Sequence, residues 1–430
     1  LRNCADKESR DSFRVSRGSA PGGAVSAGIG GFLTVRAKPE TDETKKGSSN
    51  MNFKFTGEEQ DILDMLHDFC VKSVAPLAAE IDEEERFPEK TWHQLAEMGM
   101  MGMAYPEEVG GAGLSYLSYI AAVEEISKHC ASTGTMFSAH ASLCSWPIFA
   151  FGTEEQKQKY LPDLCSGEKL GAFALTEPGA GTDAAMQRTV AEDKGDCWLL
   201  NGSKIFITNA GYASVFVVFA MTDKSLGTKG ISAFIVERDT PGFRVGSHEK
   251  KMGIRASSTC ELVFEDCQIP KENLLGEIGK GFKIAMMTLD GGRIGIAAQA
   301  VGIAQGCIDQ TIPYITQRVQ FGKRISQFQN TQFEMANMQT HVDAARLLTY
   351  RAAQAKQDGE RYTHLAAMAK LFAADTASDV TRRCLQLIGG YGFTREYPFE
   401  RMMRDAKITE IYEGTSEVQR MVISGWMGVK

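Results

Sequence analysis

The hydrophobic spacing of this sequence changes twice, and those two changes limit the possible folds more than any other feature. From residue 56 to about residue 165 apolar residues recur at helical spacing, with Gly/Pro punctuation such as "PEEVGGAGL". From about residue 171 short runs rich in β-branched and aromatic residues follow, such as "SVFVVFAM" and "ISAFIVE". After "GEIGKGFKIAMMTLDGGR" helical spacing returns and holds to the end, in segments long enough for antiparallel bundle helices. The sequence therefore predicts an α+β fold: an N-terminal helical domain, a middle antiparallel β-domain and a C-terminal four-helix-bundle domain.

Residues 1–50 differ from the rest of the chain. They mix "SAPGGAVSAGIGG" with "AKPETDETKKGSSN" and show no sustained hydrophobic period. We interpret them as an irregular extension outside the fold. The three domains are then expected at residues 51–170, 171–280 and 281–430.

The origin of that extension has two interpretations. Arginines such as Arg2 and Arg10 are typical of an organellar leader, whereas acidic residues such as Asp6 and Glu8 are not. An upstream read-through or an expression remnant, with Met51 as the natural start, is the favoured alternative. The sequence therefore predicts a cytoplasmic protein, or a mitochondrial-matrix protein if the extension is a leader.

Composition argues against several classes of protein. A net charge of -7 leaves no basic surplus to neutralise a phosphate backbone, so we do not expect nucleic acid as a partner. No window reaches the roughly 18 consecutive apolar residues of a spanning helix, so we expect no membrane insertion. The ten cysteines include no Cys-x-x-Cys pair and the seven histidines no His-x-x-x-His pair. We therefore expect free thiols in a reducing compartment and no metal site.

Two glycine-rich segments stand out, although the common nucleotide-binding motifs are absent. There is no Gly-x-x-x-x-Gly-Lys-Ser/Thr loop, and no Gly-x-Gly-x-x-Gly joins a strand to a helix. "LTEPGAGTD" at 175–183 ends a predicted strand, and "QLIGGYGF" at 386–393 ends a predicted helix. Taken alone, each is also what a tight turn or a helix C-cap looks like.

Taken together, these segments resemble the acyl-CoA dehydrogenase family across residues 51–430. "ALTEPGAGTD" is similar to the family's first signature, "QLIGGYGFTREYPFERMMRD" to its second and "IYEGTSE" to its catalytic loop. Other segments of the family, including "KIFITNAG" and "QRVQFGK", follow in the same order. The likeness is greatest to bacterial short-chain (butyryl-CoA) members. One departure is "AAMQRT" after Asp183, where Met186 and Arg188 replace the family's usual small or polar residues.

The resemblance implies FAD-dependent α,β-dehydrogenation of a short-chain acyl-CoA, from butyryl-CoA to crotonyl-CoA. It implies Glu413 as the base for the α-proton, hydride transfer to the flavin N5, and an electron-transferring flavoprotein as electron acceptor. Desolvation between flavin and helices should raise the pKa of Glu413. Some members carry the base at the position of Gly292, but Gly291 and Gly292 offer no carboxylate there.

The family's ligand contacts also carry over by position. Those to acyl-CoA fall on Thr182, Asp290, Gly291, Gly292, Arg293 and Gly414. Those to FAD fall on Phe173, Leu175, Thr176, Gly181, Thr182, Phe206, Ile207, Thr208, Arg318, Gln329, Gln386, Leu387, Ile388, Gly389, Gly390, Thr415, Ser416 and Glu417. Because Arg318, Gln329 and residues 386–390 match positions that reach FAD from a neighbouring subunit, the resemblance implies a homo-oligomer, most simply a tetramer.

Two other functions use the same scaffold. An acyl-CoA oxidase or an enoyl-CoA reductase would need the same residues, and oxygen reactivity would separate them from a dehydrogenase. A non-enzymatic, DNA-associated flavoprotein relative would show a basic patch and a lost base, whereas this chain is acidic and keeps Glu413. The sequence does not report the depth of the acyl pocket.

Overall fold

The structure is a computed structural model and describes residues 53–429. Its N-terminal helices begin where the sequence predicted them. The Thr56 hydroxyl accepts a hydrogen bond from the Glu59 amide and the Glu59 carboxylate accepts one from the Thr56 amide, which closes a capping box at the first helix. The seven α-helices of this region are α1 (Gly57–Phe69), α2 (Ala78–Glu83), α3 (Glu89–Glu97), α4 (Tyr116–His129), α5 (Ala131–Ala139), α6 (Trp146–Phe151) and α7 (Glu154–Ser166). The interpretation of residues 1–50 concerns residues outside those described.

The middle region is a sheet of eight strands. They are β1 (Gly171–Ala174), β2 (Val190–Asp193), β3 (Cys197–Thr208), β4 (Val215–Met221), β5 (Ile231–Glu237), β6 (Phe243–His248), β7 (Thr259–Pro270) and β8 (Leu274–Leu275). Their order is β6-β7-β3-β2-β4-β5-β8, with β1 also paired to β4. The pairings are antiparallel except β1 with β4 and β2 with β4, which are parallel. The predicted β-domain is confirmed, and its parallel pairs are a feature that the sequence pattern did not indicate.

The C-terminal region is helical again, which confirms the predicted fold class. Its helices are α8 (Gly281–Gln317), α9 (Gln329–Gln357), α10 (Thr363–Ile388), α11 (Gly390–Phe393), α12 (Phe399–Ile408) and α13 (Ser416–Trp426). A short hairpin of β9 (Val319–Gln320) and β10 (Lys323–Arg324) joins α8 to α9. Helix α10 packs along α8, and α9, α12 and α13 pack against α10.

Small residues bring α8 into close contact with α4. A Cβ atom on Gly302 would collide with the backbone oxygen of Glu124, and one on Gly306 with that of Lys128. Both acceptor residues lie on α4, so glycine at these positions lets the two helix backbones approach. The N-terminal helices and the C-terminal bundle therefore share one hydrophobic core.

Two further expectations concern the thiols and the membrane. All nine cysteines among residues 53–429 carry free thiols, as predicted. No helix in the described part of the chain is long and apolar enough to cross a bilayer.

Candidate active site

Glu413 lies in the loop that joins α12 to α13, in a backbone conformation that few residues adopt. Its φ is +53°, and Gly414 follows at +93°. A non-glycine residue in the left-handed region costs free energy, and such strain is concentrated at functional sites. The adjoining Thr415 caps α13 by accepting a hydrogen bond from the Val418 amide at 3.4 Å.

Side chains from three helices hold this loop through its carbonyl groups. Lys370 on α10 donates to the Gly414 carbonyl at 2.8 Å, and Gln419 on α13 donates to the same oxygen at 2.8 Å. Arg293 on α8 donates to the Glu413 carbonyl at 3.5 Å. The loop is therefore held through its backbone carbonyl groups, and the Glu413 side chain is not needed to hold it in place.

The Glu413 carboxyl is shielded from water. Its Oε2 is buried and accepts no hydrogen bond from any group within residues 53–429. Burial raises the pKa of Glu413 to about 8, while the positive charges of Lys370 and Arg293 work in the opposite direction. A carboxyl with this pKa is suited to gain and lose a proton near neutral pH.

Gly292 lies directly beside that carboxyl. A Cβ atom on Gly292 would collide with Glu413 Oε2 and would lie 2.7 Å from Leu143 Cδ2. The space that any larger residue on α8 would need is therefore filled by the carboxyl group of Glu413. A chain that places its carboxylate at position 413 therefore requires glycine at position 292.

Next to Gly292, the predicted substrate residues Asp290 and Arg293 are paired with each other. Arg293 Nη1 lies 2.6 Å from Asp290 Oδ1, and the Thr363 hydroxyl donates to Asp290 Oδ2 at 2.7 Å. The Tyr116 hydroxyl donates to the Gly291 carbonyl at 3.2 Å. Of these four consecutive residues of α8, Gly292 and Arg293 face the Glu413 loop, whereas Asp290 contacts Thr363 and Gly291 lies beside Tyr116.

Lys356 lies at the edge of this group and was missed by sequence reasoning. Its Nζ is 4.0 Å from the centroid of the Tyr116 ring and 5.0 Å from that of Trp146. Burial lowers the pKa of Lys356 to about 7, with Asp290 acting against that effect. Nζ donates no hydrogen bond within residues 53–429.

The β-domain presents an exposed aromatic side chain on a strained backbone. Phe206 on β3 has φ +60° and is 59% exposed, beside a register shift in the β3–β7 pair. Such irregularities re-aim side chains and are frequent next to active sites. Ile207 is buried and Thr208 half-buried, so Phe206 is the most exposed of the three predicted cofactor residues on this strand.

A buried ion pair fixes the glycine-rich segment at 175–183. Lys204 Nζ on β3 lies 2.8 Å from Glu177 Oε1 and donates to the Leu175 carbonyl at 3.0 Å and to Gln187 Oε1 at 3.1 Å. The Arg188 amide donates to Glu177 Oε2 at 2.5 Å. The unusual "AAMQRT" segment is therefore anchored to the loop, with the Met186 side chain exposed.

The other predicted cofactor residues of the β-domain lie around this loop. Phe173 is half-buried against the Phe219 ring, with ring centroids 5.0 Å apart. Leu175 is buried and Thr176 half-buried, and the Thr176 carbonyl accepts from the Ile205 amide at 2.9 Å. Gly181 and Thr182 are exposed.

A second set of predicted cofactor residues lies around the ends of α8 and α10. The Arg318 guanidinium is 5.9 Å from the Tyr391 ring centroid, and Gly389 ends α10 with φ +73°. Phe393 in the same segment is 82% exposed. Within residues 53–429 no hydrogen bond or ring contact joins Arg318, Gln329 or residues 386–390 to the Glu413 loop.

The residues that follow the base have local partners. Ser416 is buried, its amide donates to the Glu410 carbonyl at 2.9 Å, and its hydroxyl has no partner among the described residues. Glu417 is exposed in the first turn of α13, where a hydrogen bond from its own backbone amide lowers its pKa.

Three family models match the chain in succession. They are the acyl-CoA dehydrogenase N-terminal domain at residues 56–168, the middle domain at 172–267 and the C-terminal domain at 279–428. Together they cover nearly all of the described residues.

Curated relatives match over nearly their whole length. The short-chain specific acyl-CoA dehydrogenase of Clostridium acetobutylicum is 58% identical over 375 residues, which are 87% of this chain and 99% of the relative. The protein of the same name from Megasphaera elsdenii is 53% identical over 379 residues, with the same coverage of 87% and 99%.

Solved structures match equally well. Butyryl-CoA dehydrogenase from Megasphaera elsdenii superposes with a TM-score of 0.86 at 52% identity, over 87% of this chain and 99% of that one. A chain from a study of the electron transferring flavoprotein of Acidaminococcus fermentans and flavin-based electron bifurcation gives a TM-score of 0.86 at 55% identity, over 87% and 99%.

Proposed function

The chain belongs to the acyl-CoA dehydrogenase family, and from that premise we propose that Glu413 is the base that removes the α-proton of a short-chain acyl-CoA. The protein is an oxidoreductase that dehydrogenates an acyl-CoA. The observation that carries the proposal for Glu413 is its buried, unpartnered Oε2, with a pKa raised to about 8. An ordinary loop glutamate would be solvated or paired, and its pKa would stay near 4.3.

The chemical task explains why a desolvated carboxyl is needed. The α-hydrogen of a thioester is weakly acidic, so the base needs a pKa close to the working pH to take the proton and to keep it during the step. In the proposed step the proton moves from the α-carbon to Glu413 Oε2. Lys370 and Arg293 keep the ionised form accessible because their charges oppose the effect of burial.

The loop also offers donors for the negative charge that develops on the thioester oxygen. The backbone N–H groups of Glu413 and Gly414 donate to no acceptor within residues 53–429. Preorganised amide donors stabilise an oxyanion without having to reorient during the reaction. Glycine at 414 permits the positive φ of this turn and the close packing of Gln419 and Val418 against it.

The residues present fit FAD. Phe206 supplies an exposed aromatic surface, and the small and polar residues Thr176, Gly181, Thr182 and Thr208 are exposed or half-buried in the same domain. The chemistry that FAD supplies when bound is oxidation at the β-carbon, by accepting the hydride at N5. Arg318 and residues 386–390, which form no hydrogen bond or ring contact with the Glu413 loop within residues 53–429, are proposed to complete the cofactor site of a neighbouring subunit in a tetramer.

Short-chain acyl-CoA, above all butyryl-CoA, is the proposed substrate, because two highly similar relatives are named short-chain specific and a third match is a butyryl-CoA dehydrogenase. An electron-transferring flavoprotein is the proposed acceptor, supported by the chain from the Acidaminococcus fermentans study. The cytoplasm stays the predicted location, with the mitochondrial matrix as the alternative.

Replacement of the proposed base tests the assignment. We expect Glu413→Gln to retain FAD and to bind butyryl-CoA, yet to lose bleaching of the flavin absorbance by butyryl-CoA, because an amide cannot accept the α-proton. Anaerobic stopped-flow absorbance measures the bleaching rate. If Glu413→Gln retains FAD and its flavin is bleached at a rate near that of the wild type, the base must be another residue.

Glu410→Gln is the matched control. Glu410 lies in the same loop and pairs with Lys407; burial acts to raise its pKa, but hydrogen bonds from Lys407 and Ser378 outweigh it and lower the pKa. Its loss should leave flavin bleaching nearly unchanged. An equal loss of bleaching in both variants would mean that the loop has been disrupted and that Glu413 has no special role.

A further inference from the structure

Three side chains with metal-binding groups meet outside the active site. His67 lies in the last turn of α1, and Glu125 and His129 lie one turn apart on α4. Glu125 Oε1 is 2.6 Å from His67 Nδ1 and 3.0 Å from His129 Nε2. The three potential ligand atoms all lie within 4.8 Å of one another. We call these three residues the α1–α4 cluster.

The backbone positions of this cluster are set by the core. Leu66 on α1, Cys70 directly after α1 and Ile126 on α4 are fully buried, and they flank the cluster in the sequence. The spacing of Glu125 and His129 puts both side chains on one face of α4. The two imidazole rings are 6.1 Å apart and tilted by 59°, so they do not stack, and a nitrogen of each points at the same carboxylate oxygen.

The separations are close to those of a metal site. Bonds of about 2.0 to 2.2 Å from a tetrahedral zinc ion put its ligand atoms roughly 3.3 Å apart. The two observed contacts are shorter than this by less than about 1 Å, and His67, with half of its side chain exposed, has room to move outward. Two imidazoles and one carboxylate are a donor set that zinc-class ions use, with a further position left for water.

The surrounding charges also favour a cation. Glu125 supplies a carboxylate whose Oε1 faces both imidazoles, and only 21% of its side chain is exposed. The neighbouring Lys128 is paired with Asp309 at 2.9 Å, which compensates its positive charge. Glu124, which precedes Glu125 in the sequence, is paired with Arg346 and is not part of the cluster.

We propose that His67, Glu125 and His129 bind a divalent transition metal of the zinc class, which ties the end of α1 to α4. This replaces the expectation of no metal site, which was drawn from a search for histidine pairs on single helices. His67 is 58 residues from Glu125, so no local motif reveals the cluster. The ion would be structural, because the cluster includes none of the residues placed around Glu413.

Zinc titration of the FAD-loaded full chain, stripped beforehand with a chelator, tests the proposal. We expect isothermal titration calorimetry to give about one Zn²⁺ per subunit, and Glu125→Gln and His129→Asn each to weaken binding at least tenfold. Zn²⁺ should also raise the unfolding midpoint of the wild type and not that of the variants. With Cu²⁺ as a probe, electron paramagnetic resonance should show coordination by two nitrogens.

His67→Asn removes a ligand from a half-exposed position without touching the core, so it answers the question even if a change on α4 impairs folding. His93→Asn is the control, because His93 is exposed and outside the cluster. Unchanged binding in His93→Asn with loss in His67→Asn supports the site. No Zn²⁺ binding, binding that survives His67→Asn, or equal loss in His93→Asn overturns it.

Discussion

At Glu413, the same desolvation that makes the carboxyl a better base also makes the folded state favour its protonated form. With the pKa raised from an ordinary value to about 8, the folded protein binds a proton here that the unfolded chain has already lost. The resulting stabilisation is complete below the unfolded pKa and is lost as pH rises through about 8. Activity requires the ionised form, so its dependence on pH has the opposite sign.

We therefore expect kcat/KM for butyryl-CoA to rise with pH toward a plateau above about 8, while the contribution of Glu413 to stability falls over the same range. Steady-state assays across pH measure the first effect. Denaturant unfolding of the wild type and of Glu413→Gln measures the effect on stability. The difference between their unfolding free energies should change most between the ordinary glutamate pKa and pH 8. A flat activity profile across that range would contradict the assignment.

Lys370 on α10 is a positioning residue for the Glu413 loop, since it donates to the Gly414 carbonyl and its charge opposes the effect of burial on the pKa of Glu413. Lys370→Met should lower kcat by about 10- to 100-fold, as expected when a reacting group is misplaced by a fraction of an ångström or more. It should also move the ascending limb of the pH profile upward. Lys370→Arg should restore part of that shift.

The control for Lys370 is Lys407→Met, which removes an exposed lysine on α12 that pairs with Glu410. Normal kcat and an unmoved pH profile are expected there. A loss of stability in Lys370→Met without any change in the pH profile would show that Lys370 has only a structural role.

At the scale of residues, the sequence motif predicted Glu413, the proposed base, but it did not indicate the residues that hold its loop. Lys370 lies in "AAMAKLFAA", and a lone lysine among small apolar residues on a helix is a detectable signal of a buried cation with a specific partner. Its partner could not be predicted, because the Gly414 carbonyl is presented by a loop 44 residues away. The buried ion pair of Lys204 on β3 with Glu177 was likewise not predictable from the sequence.

Among the elements, α4 and α8 depend on glycine for their contact. Gly302→Val would force a branched side chain against the Glu124 carbonyl and within 3.0 Å of the Lys128 amide nitrogen at its first carbon. Overpacking of this kind costs about 1 to 3 kcal/mol of unfolding free energy, and backbone neighbours yield less readily than side chains. Chemical denaturation with circular dichroism measures the change.

Gly425→Ala, on α13, is the comparison, because a Cβ atom at Gly425 meets nothing within 4 Å. There the substitution should be neutral or should stabilise the protein by up to about 1 kcal/mol, since alanine is the better helix former. Equal destabilisation by both substitutions would contradict the view that Gly302 is needed for the close packing of α4 and α8.

The sequence predicted the elements better than their contacts. Hydrophobic spacing located the helices and the β-domain, because 3.6-residue and two-residue periods come directly from backbone geometry. The parallel pairing of β1 with β4 was not predictable in this way, since the alternation of side chains along a strand does not record the direction of its neighbour. The approach of α4 to α8 depends on glycines whose partners lie far away in the chain.

For the whole molecule, the proposed short-chain specificity is a property of packing between regions. A Cβ atom on Gly292 of α8 would meet both the Glu413 carboxyl and Leu143 from the N-terminal region. Each methylene that enters such a space contributes roughly 0.8 kcal/mol until the walls are reached, and overpacking then costs about 1 to 3 kcal/mol. We expect butyryl-CoA to give the highest kcat/KM, hexanoyl-CoA a lower one and palmitoyl-CoA almost none.

Steady-state assays with a one-electron dye across even chain lengths measure this preference, and octanoyl-CoA provides the decisive comparison. A maximum at eight carbons or beyond would refute short-chain specificity while leaving acyl-CoA dehydrogenation in place. Removing oxygen should not slow turnover with the dye. A rate that depends on oxygen instead would favour the oxidase alternative.

The shared core has a consequence for how the chain is made. Ile120 and Val123 on α4 belong to the same buried cluster as Ile294 on α8 and Val380 on α10. On the ribosome, α4 emerges before the whole β-domain and well before α8 and α10, so the part of its apolar face that these helices cover stays uncovered until they are synthesised. The boundary near residue 170 thus marks a change of secondary structure and not the end of a unit that folds during translation, and the final packing of the N-terminal helices waits for release of the finished chain.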